Sequence, residues 1–436
     1  MSFVQLLHRS YRAIFNPPDR VSKENAIRFG LLGASSIAPL SLIGPAKSHP
    51  EAIVAAIAAR DRGRAESYAK KHGIPIVHDS YQDLLDDESI DVIYIALPNN
   101  LHYEWALRSL KAGKHVLLEK PATSNAINTE KLFRHPLTKL PNAPVLQEAF
   151  HYQFHPAWQT FLSEARQAGQ LKSAHSRQTI PRGAFVPDDI RFQFELGGGC
   201  LMDLGTYALS AVRQVLNREP VEVVDAQCRL MTGAGQGEPT DRQVDQYITA
   251  SLKTRDGKIA EFTADIASSF QWPNSLPENW RLNIPYPTVP MCQAVFEEVS
   301  ADQLTEHPNS EHRIQKTIMI WNYLLPVVWH RIDVVEKHRI VKSGRDVKVW
   351  NEAHYLKAYN WPDNEARGGI YKDWWTTWRC QLEEFINLVK RRNGSGVLVD
   401  AHETIAQMKV IDEIYDKVGL KIRPSSPYDL HRNLDS

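Results

Sequence analysis

The sequence predicts an α/β protein: a Rossmann-type doubly wound parallel sheet, followed by an α+β domain with a large open, mostly antiparallel sheet. Three observations carry this. Short apolar runs alternate with helical stretches between Ile27 and about Glu148. A glycine-led turn at Gly33 follows the first of those runs. After about Phe150 the pattern changes to half-buried strands joined by the tight turn Asp256-Gly257. Strands alternating with helices imply right-handed crossovers and a parallel sheet covered on both faces. Alternation with a period of two implies an antiparallel sheet with one wet face.

In chain order the apolar runs are IRFGLL (27–32), AIVAAIA (52–58), PIVH (75–78), DVIYIAL (91–97), HVLLE (115–119) and PVLQEA (144–149). Between them, Arg62 to His72 reads as a helix closed by Gly73, a natural left-handed cap. Ser80 with Asp83 forms a capping signature ahead of Leu84 and Leu85. Leu101 to Ala112 has helical spacing and stops at Gly113. In the second part, Gln246–Lys253 and Lys258–Ile266 flank the Asp256-Gly257 turn, a strong hairpin signal. Ala260, Phe262, Ala264 and Ile266 alternate there with Glu261, Thr263 and Asp265. Residues 272–290 hold Pro273, Pro277, Pro285, Pro287 and Pro290, which predicts an extended loop rather than central strand. Trp361 to Gly369 predicts a second loop, before a helix over Trp375 to Lys390.

Composition excludes several classes. Lys plus Arg and Asp plus Glu both count 51, so no global field favours nucleic acid or an anionic membrane. The four cysteines, Cys200, Cys228, Cys292 and Cys380, are scattered without a C-x-x-C pair, which fits a reducing, cytoplasmic setting. The most apolar later run, Ile318 to Trp329, is broken by Asn322 and Pro326 and falls short of the ~20 residues that span a bilayer. The first 26 residues, with Arg9 and Arg12, read as an amphipathic arm packed on the body; the other reading is a mitochondrial targeting segment. His151 and His155 stand four apart, but Pro156 argues against a shared helix, so they read as pocket or core residues and no metal is expected.

The chemistry gathers at three places. Gly33-Ala34-Ser35-Ser36-Ile37-Ala38 follows the first strand, where a dinucleotide fold needs a tight turn, close backbone approach to pyrophosphate and a small residue at the helix contact. Ser35 stands where a second glycine is usual, and its hydroxyl and that of Ser36 can help hold phosphate. The second strand ends in Ala59-Arg60-Asp61. An arginine there suits the 2′-phosphate of NADP rather than the free ribose of NAD, with Arg64 as helper. Ligands bind beyond the carboxyl ends of such strands. Pro98-Asn99-Asn100 and Glu119-Lys120 both occupy such ends. Finally, Gly197-Gly198-Gly199-Cys200 leads into Asp203 and Tyr207, which share one face if a helix begins near Cys200. A phenol has an unperturbed pKa near ~10, and a neighbouring ammonium, Lys120, would lower it.

Taken in order, FGLLGASSIA, AARD, LPNNLHYEWALRSLKAGKHVLLEKP, EAFHYQFHP and DIRFQFELGGGCLMDLGTY resemble the Gfo/Idh/MocA oxidoreductase family. The nearest resemblance is to its dimeric dihydrodiol dehydrogenase and NADP-dependent D-xylose 1-dehydrogenase subgroup of fungal type. The resemblance implies an arm over 1–26, a dinucleotide-binding domain over 27–148 and a substrate-binding and dimerisation domain over 149–436. It makes Lys120, Asp203 and Tyr207 the catalytic set, with Tyr207 moving the proton, Lys120 tuning it and Asp203 binding substrate hydroxyls. Gly33, Ala34, Ser35, Ser36, Ile37, Arg60, Arg64, Pro98, Asn99, His102, Glu119 and Lys120 would hold the cofactor. Phe150, His151 and Phe154 would face a small-molecule substrate with Asp203 and Tyr207. Gln153 departs from the arginine usual in the family's EAF-x-x-R-x-x-P stretch. The implied reaction oxidises an aldose such as D-xylose at C1, or else a trans-dihydrodiol. Carbonyl reduction in a biosynthetic pathway and non-catalytic dinucleotide sensing are the alternatives. A homodimer through the C-terminal sheet is expected, with neither nucleic acid nor membrane as partner.

Overall fold

The computed structural model describes residues 3–18, 20–186, 188–231, 243–272, 282–285, 288–301, 310–365 and 369–428. Its helices are α1 (Phe3–Ser10), α2 (Gly44–Lys47), α3 (Arg62–His72), α4 (Tyr81–Asp86), α5 (Asn99–Lys111), α6 (Ala126–Phe133), α7 (Pro156–Gln167), α8 (Thr206–Leu216), α9 (Thr377–Val389) and α10 (Ala401–Lys417). Strands β1 (Ile27–Leu32), β2 (Ala52–Ala58), β3 (Ile76–Val77), β4 (Val92–Ile95), β5 (His115–Leu118) and β6 (Leu146–Glu148) form the first sheet. Their order is β3-β2-β1-β4-β5-β6, and every neighbouring pair is parallel. The order reverses between β1 and β4, which opens a crevice at their carboxyl ends.

The expected caps are in place. Asp61 and Ser80 accept from the amides of Arg64 and Asp83, and Gly73 and Gly113 adopt positive φ. β4 is buried throughout because apolar layers cover both faces of the sheet. One layer joins Leu84, Leu85, Tyr103, Ala106 and Leu107. The other joins Phe29, Leu31, Ala65 and Ala69 to Leu382, Phe385 and Ile386 of α9, far along the chain. Packing therefore does not respect the 148/149 division: α9 completes the covering of the first sheet, where the Phe29 and Phe385 ring centroids lie 6.2 Å apart.

Strands β7 (Leu171–Pro181), β8 (Pro220–Leu230), β9 (Asp245–Thr254), β10 (Ile259–Trp272), β11 (Leu282–Pro285), β12 (Met291–Phe296), β13 (Val299–Ala301), β14 (Ser310–Trp321), β15 (Arg331–Lys342) and β16 (Arg345–Leu356) build the second, ten-stranded sheet. Its main path runs β16-β15-β14-β12-β7-β10-β9-β8, parallel at β7–β10 and antiparallel at the other junctions of the path. The Asp256-Gly257 turn joins β9 to β10, and Ala260, Phe262, Ala264 and Ile266 enter one core with Ala208, Leu209 and Val212 of α8. Of the proline-rich stretch, Leu282–Pro285 pairs with the end of β10, off the main path; residues 273–281 and 286–287 lie outside the described residues. The expected loop at 361–369 is a turn over the residues described there, and the helix after it begins at Thr377. In the arm, the buried Arg9 donates through Nε to the Val327 carbonyl at 2.8 Å, and its guanidinium lies 3.7 Å from the Tyr359 ring centroid. Among the described residues no helix is long and apolar enough to cross a membrane.

Candidate active site

One end of the crevice is made of backbone and exposed cations. Gly33 leaves β1 with φ +95°, and a Cβ there would stand 3.0 Å from Leu97 Cδ2 and 3.1 Å from the Ala96 oxygen. Only glycine lets the turn pass so close to the end of β4. Ser35 Oγ accepts from the Ala38 amide at 3.3 Å, and Pro39 then opens the helix as a π turn over Pro39–Ile43. The helix thus starts later than the glycine motif suggests, because a proline, lacking an amide proton, is favoured in the first helical turn. Residues 34–37 are left as irregular backbone along the crevice.

Asp61 is turned back onto α3, accepting from the Arg64 amide at 2.6 Å. Arg64 Nη2 reaches the Ala34 oxygen at 3.0 Å, and Tyr68 Oη donates to the Ser35 oxygen at 2.9 Å. Arg60 is exposed on the wall of the same groove, whose volume is about 690 Å³. A phosphate monoester fits here better than a free ribose diol: the carboxylate is occupied as a cap while two guanidinium groups remain.

The other end is buried. β5 runs out at Leu118 and delivers Glu119 and Lys120 to the rim. Lys120 Nζ donates to the Asp203 backbone oxygen and to its Oδ1, both at 2.9 Å, and lies 4.5 Å from the Tyr207 ring centroid. Asp203 Oδ2 accepts from Arg191 Nε at 2.7 Å, and Arg191 Nη1 also donates to Asp189 at 2.9 Å. Burial works against the Asp203 charge, yet Lys120 and then Arg191 hold its carboxyl far below the usual range. Glu119 is raised by burial, partly offset by the Tyr94 hydroxyl that donates to it at 2.5 Å and by Lys120. These groups, with Tyr207, line a cavity of about 380 Å³ whose apolar lining includes Ile180, Phe185, Leu324, Leu325 and Trp378. Both cavities share Ser35, Ser36, Ala96, Leu97 and Arg191, so one elongated groove joins the cationic end to the phenol. A dinucleotide has the same division into a phosphate end and an aromatic end.

Comparison with known proteins agrees. Residues 27–136 match the oxidoreductase family, NAD-binding Rossmann fold model of GFO/IDH/MocA, and residues 162–283 match the GFO/IDH/MocA C-terminal domain. D-xylose 1-dehydrogenase (NADP(+)) 2 of Haloferax volcanii is 38% identical, over 57% of this chain and 70% of its own length. The chain belongs to the GFO/IDH/MocA oxidoreductase family. A dTDP-3,4-didehydro-2,6-dideoxy-alpha-D-glucose 3-reductase of Actinomadura kijaniata is 33% identical over 55% of this chain and 68% of its own. Trans-1,2-dihydrobenzene-1,2-diol dehydrogenase of Xenopus tropicalis is 32% identical over 46% and 60%. Among solved structures, a 3-ketoreductase from Actinomadura kijaniata with NADP and TDP-benzene shares the fold at TM-score 0.62 and 22% identity, over 90% of this chain and 98% of that one.

Within this GFO/IDH/MocA chain the groove collects Gly33, Ala34, Ser35, Ser36, Ile37, Arg60, Arg64, Pro98, Asn99, His102, Glu119, Lys120, His151, Asp203 and Tyr207. Two expectations need correction. Phe150 and Phe154 are core residues, not pocket walls: the short helical turn His151–Phe154 points them inward, and Phe150 backs the Tyr207 ring edge-on at 5.9 Å. His102 lines the cavity, held against the carbonyls of Leu97 at 2.9 Å and Pro121 at 3.0 Å, and burial draws its pKa down to about 4. The Tyr207 pKa is raised, not lowered, despite the neighbouring Lys120. Its ammonium sits over the ring face and is taken by Asp203, while burial, then Glu119 and Asp203, push the phenol well above its ordinary value.

Gln153 stays buried, donating to Glu403 of α10 at 2.6 Å, so the family's arginine position serves here as an internal clamp. Sequence reasoning missed Arg191, Thr377 and Trp378. Arg191 had a signal, a lone cation inside the aromatic run before Gly197. Thr377 and Trp378 sit at the start of an amphipathic helix and had none.

Proposed function

We propose that this chain is an NADP-dependent oxidoreductase that moves a hydride between nicotinamide and the hydroxyl-bearing or carbonyl carbon of a sugar or diol, with an aldose such as D-xylose as first substrate. The observation that carries the reading is one groove with Gly33, Arg60 and Arg64 at one end and Lys120, Asp203 and Tyr207 at the other. When bound, the nicotinamide supplies the hydride chemistry. Tyr207 exchanges a proton with the reacting oxygen as a general acid–base group. Lys120 keeps an N–H free for that oxygen while Asp203 holds its other donors. Arg191 fixes Asp203 from the far side, and the apolar wall excludes water. The similarity to an NADP-dependent D-xylose 1-dehydrogenase supports the aldose.

A cyclic trans-dihydrodiol is the second reading, favoured by the apolar wall of Ile180, Phe185, Leu324, Leu325 and Trp378. We read the assembly as a homodimer through the C-terminal sheet. Edge strand β16 supports this, with Val347, Val349 and Tyr355 exposed. The free cysteines support a reducing, cytoplasmic setting. The test is NADPH formation at 340 nm with aldoses and cyclic diols, and its consumption with ketosugars. Turnover of pentose with NADP in preference to NAD is expected. Tight NADPH binding with no turnover of any compound in either direction would replace the enzyme reading with that of a dinucleotide sensor.

A further inference from the structure

Behind the phenol, three hydrogen bonds have a direction fixed by their chemistry. Thr377 Oγ1 lies 3.2 Å from the Leu324 carbonyl oxygen, which can only accept, so the threonine proton points there. The same hydroxyl therefore accepts from His151 Nδ1 at 2.7 Å, and that nitrogen carries the ring's hydrogen. A neutral imidazole has one N–H, so Nε2 is an acceptor, and Tyr207 Oη donates to it at 2.9 Å. The phenol thus turns a lone pair, not a proton, toward the cavity.

We propose that His151 is a positioning and relay residue, which receives the Tyr207 proton as Tyr207 takes one from a substrate hydroxyl. The proposal rests on the oxidoreductase reading and gives that site a direction. In the oxidative step the substrate O–H breaks as a Tyr207 O–H forms, and the original Tyr207 O–H breaks as a His151 Nε2–H forms. The substrate carbon loses its hydride to the nicotinamide. That transfer removes one positive charge from the site, and the imidazolium restores it. After release of product the proton returns through Tyr207 to water in the cavity.

The surroundings hold the resting ring neutral and give the transient cation one stabilising face. Burial, and then Lys120, push the His151 pKa well below its ordinary value, so the ring is neutral and able to accept. Trp378 stacks on it at 4.3 Å and 28°, a π face that favours a cation. The charged and titratable groups that face this pair are Lys120 beyond β5, Asp203 before α8, and Glu119, Tyr323 and Arg191, which act on Tyr207.

The first test needs no substrate. Long-range ¹⁵N–¹H correlation on histidine-labelled protein without cofactor, assigned by the signal lost in His151→Gln or shifted in Thr377→Val, should give an Nδ1–H tautomer for His151. An Nε2–H tautomer overturns the proposal. The second test is kinetic. His151→Gln keeps a hydrogen-bonding amide near Nε2 but cannot take a proton. Oxidative kcat should fall by about 100-fold with KM nearly unchanged and the acid limb of the pH profile lost. If Tyr207→Phe is inactive while His151→Gln retains wild-type kcat and acid limb, the relay is wrong and the oxidoreductase reading stands. If Tyr207→Phe is fully active, Tyr207 has no part in the proton transfer and the relay falls with it, while the oxidoreductase reading stands on the measured turnover.

Discussion

The two ends of the groove hold similar charges in opposite circumstances. At the phosphate end, Arg60 stands in solvent and Asp61 is absorbed in capping α3. At the chemical end, Lys120, Asp203 and Arg191 form a mostly buried chain of contacts at 2.7–2.9 Å. Water screens the first set, so those charges add little to folding and, on the proposed reading, serve to recognise a ligand. The second set is desolvated, so each charge depends on its partner, and removing one leaves another exposed to the cost of burial. On the proposed reading, recognition and catalysis are separated along one cleft by dielectric rather than by residue type.

That contrast can be broken most sharply at the phenol. Tyr207→Phe should lower kcat by roughly 10²–10⁴-fold, the usual weight of general acid–base catalysis, with NADPH affinity unchanged by fluorescence titration. Lys120→Met comes next. It should cost about 100-fold in kcat and also destabilise the protein by about 1–3 kcal/mol in urea unfolding, because an Asp203 charge loses one of its two partners. At the screened end, Arg60→Ala with Arg64→Ala should weaken NADPH binding about tenfold, roughly 1.4 kcal/mol, leave NADH binding nearly unchanged and reduce the salt dependence of NADPH binding. Equal losses for both dinucleotides would remove the 2′-phosphate from that end.

The smallest effect concerns a buried carboxyl near neither charge set. Burial raises Glu148 to about 8, while its Oε1 accepts from the Ala122 amide at 2.8 Å. The folded state therefore holds a proton that the unfolded chain has released above its own carboxylate pKa. Stability from this group is complete below about 4.5 and declines as pH rises toward about 8. Glu148→Gln should flatten the fall in Tm between pH 5.5 and 8, measured by scanning calorimetry. An unchanged slope would mean that another group titrates there.

Legibility followed the same division. The parallel sheet, its caps and the turn at Gly33 were readable because each depends on residues adjacent in sequence: a cap with the amide it satisfies, a glycine with its own φ. Lys120 and Tyr207 were readable as residue types at strand and helix ends, but not the pairing that governs them. Lys120 meets Asp203 and leaves the hydroxyl to His151, a choice set by how β5, the turn before α8 and the His151 turn cross in space. The strands β12 to β16 have no counterpart among the elements assigned from the sequence. They carry polar side chains on the wet face and charged pairs such as Arg339–Asp346, which dilute an apolar period.

By itself the sequence determined the order of elements in the first sheet, a ligand crevice at the carboxyl ends of its strands, and the residue types at its two ends, since these follow from local periodicity, capping and chain reversal. Only the tertiary structure decided that α9 closes the first sheet and brings Thr377 and Trp378 against His151, so that the phenol oxygen is paired with an imidazole rather than with the ammonium. The physical reason is that burial and hydrogen-bond direction depend on contacts between segments more than two hundred residues apart, which no local pattern records.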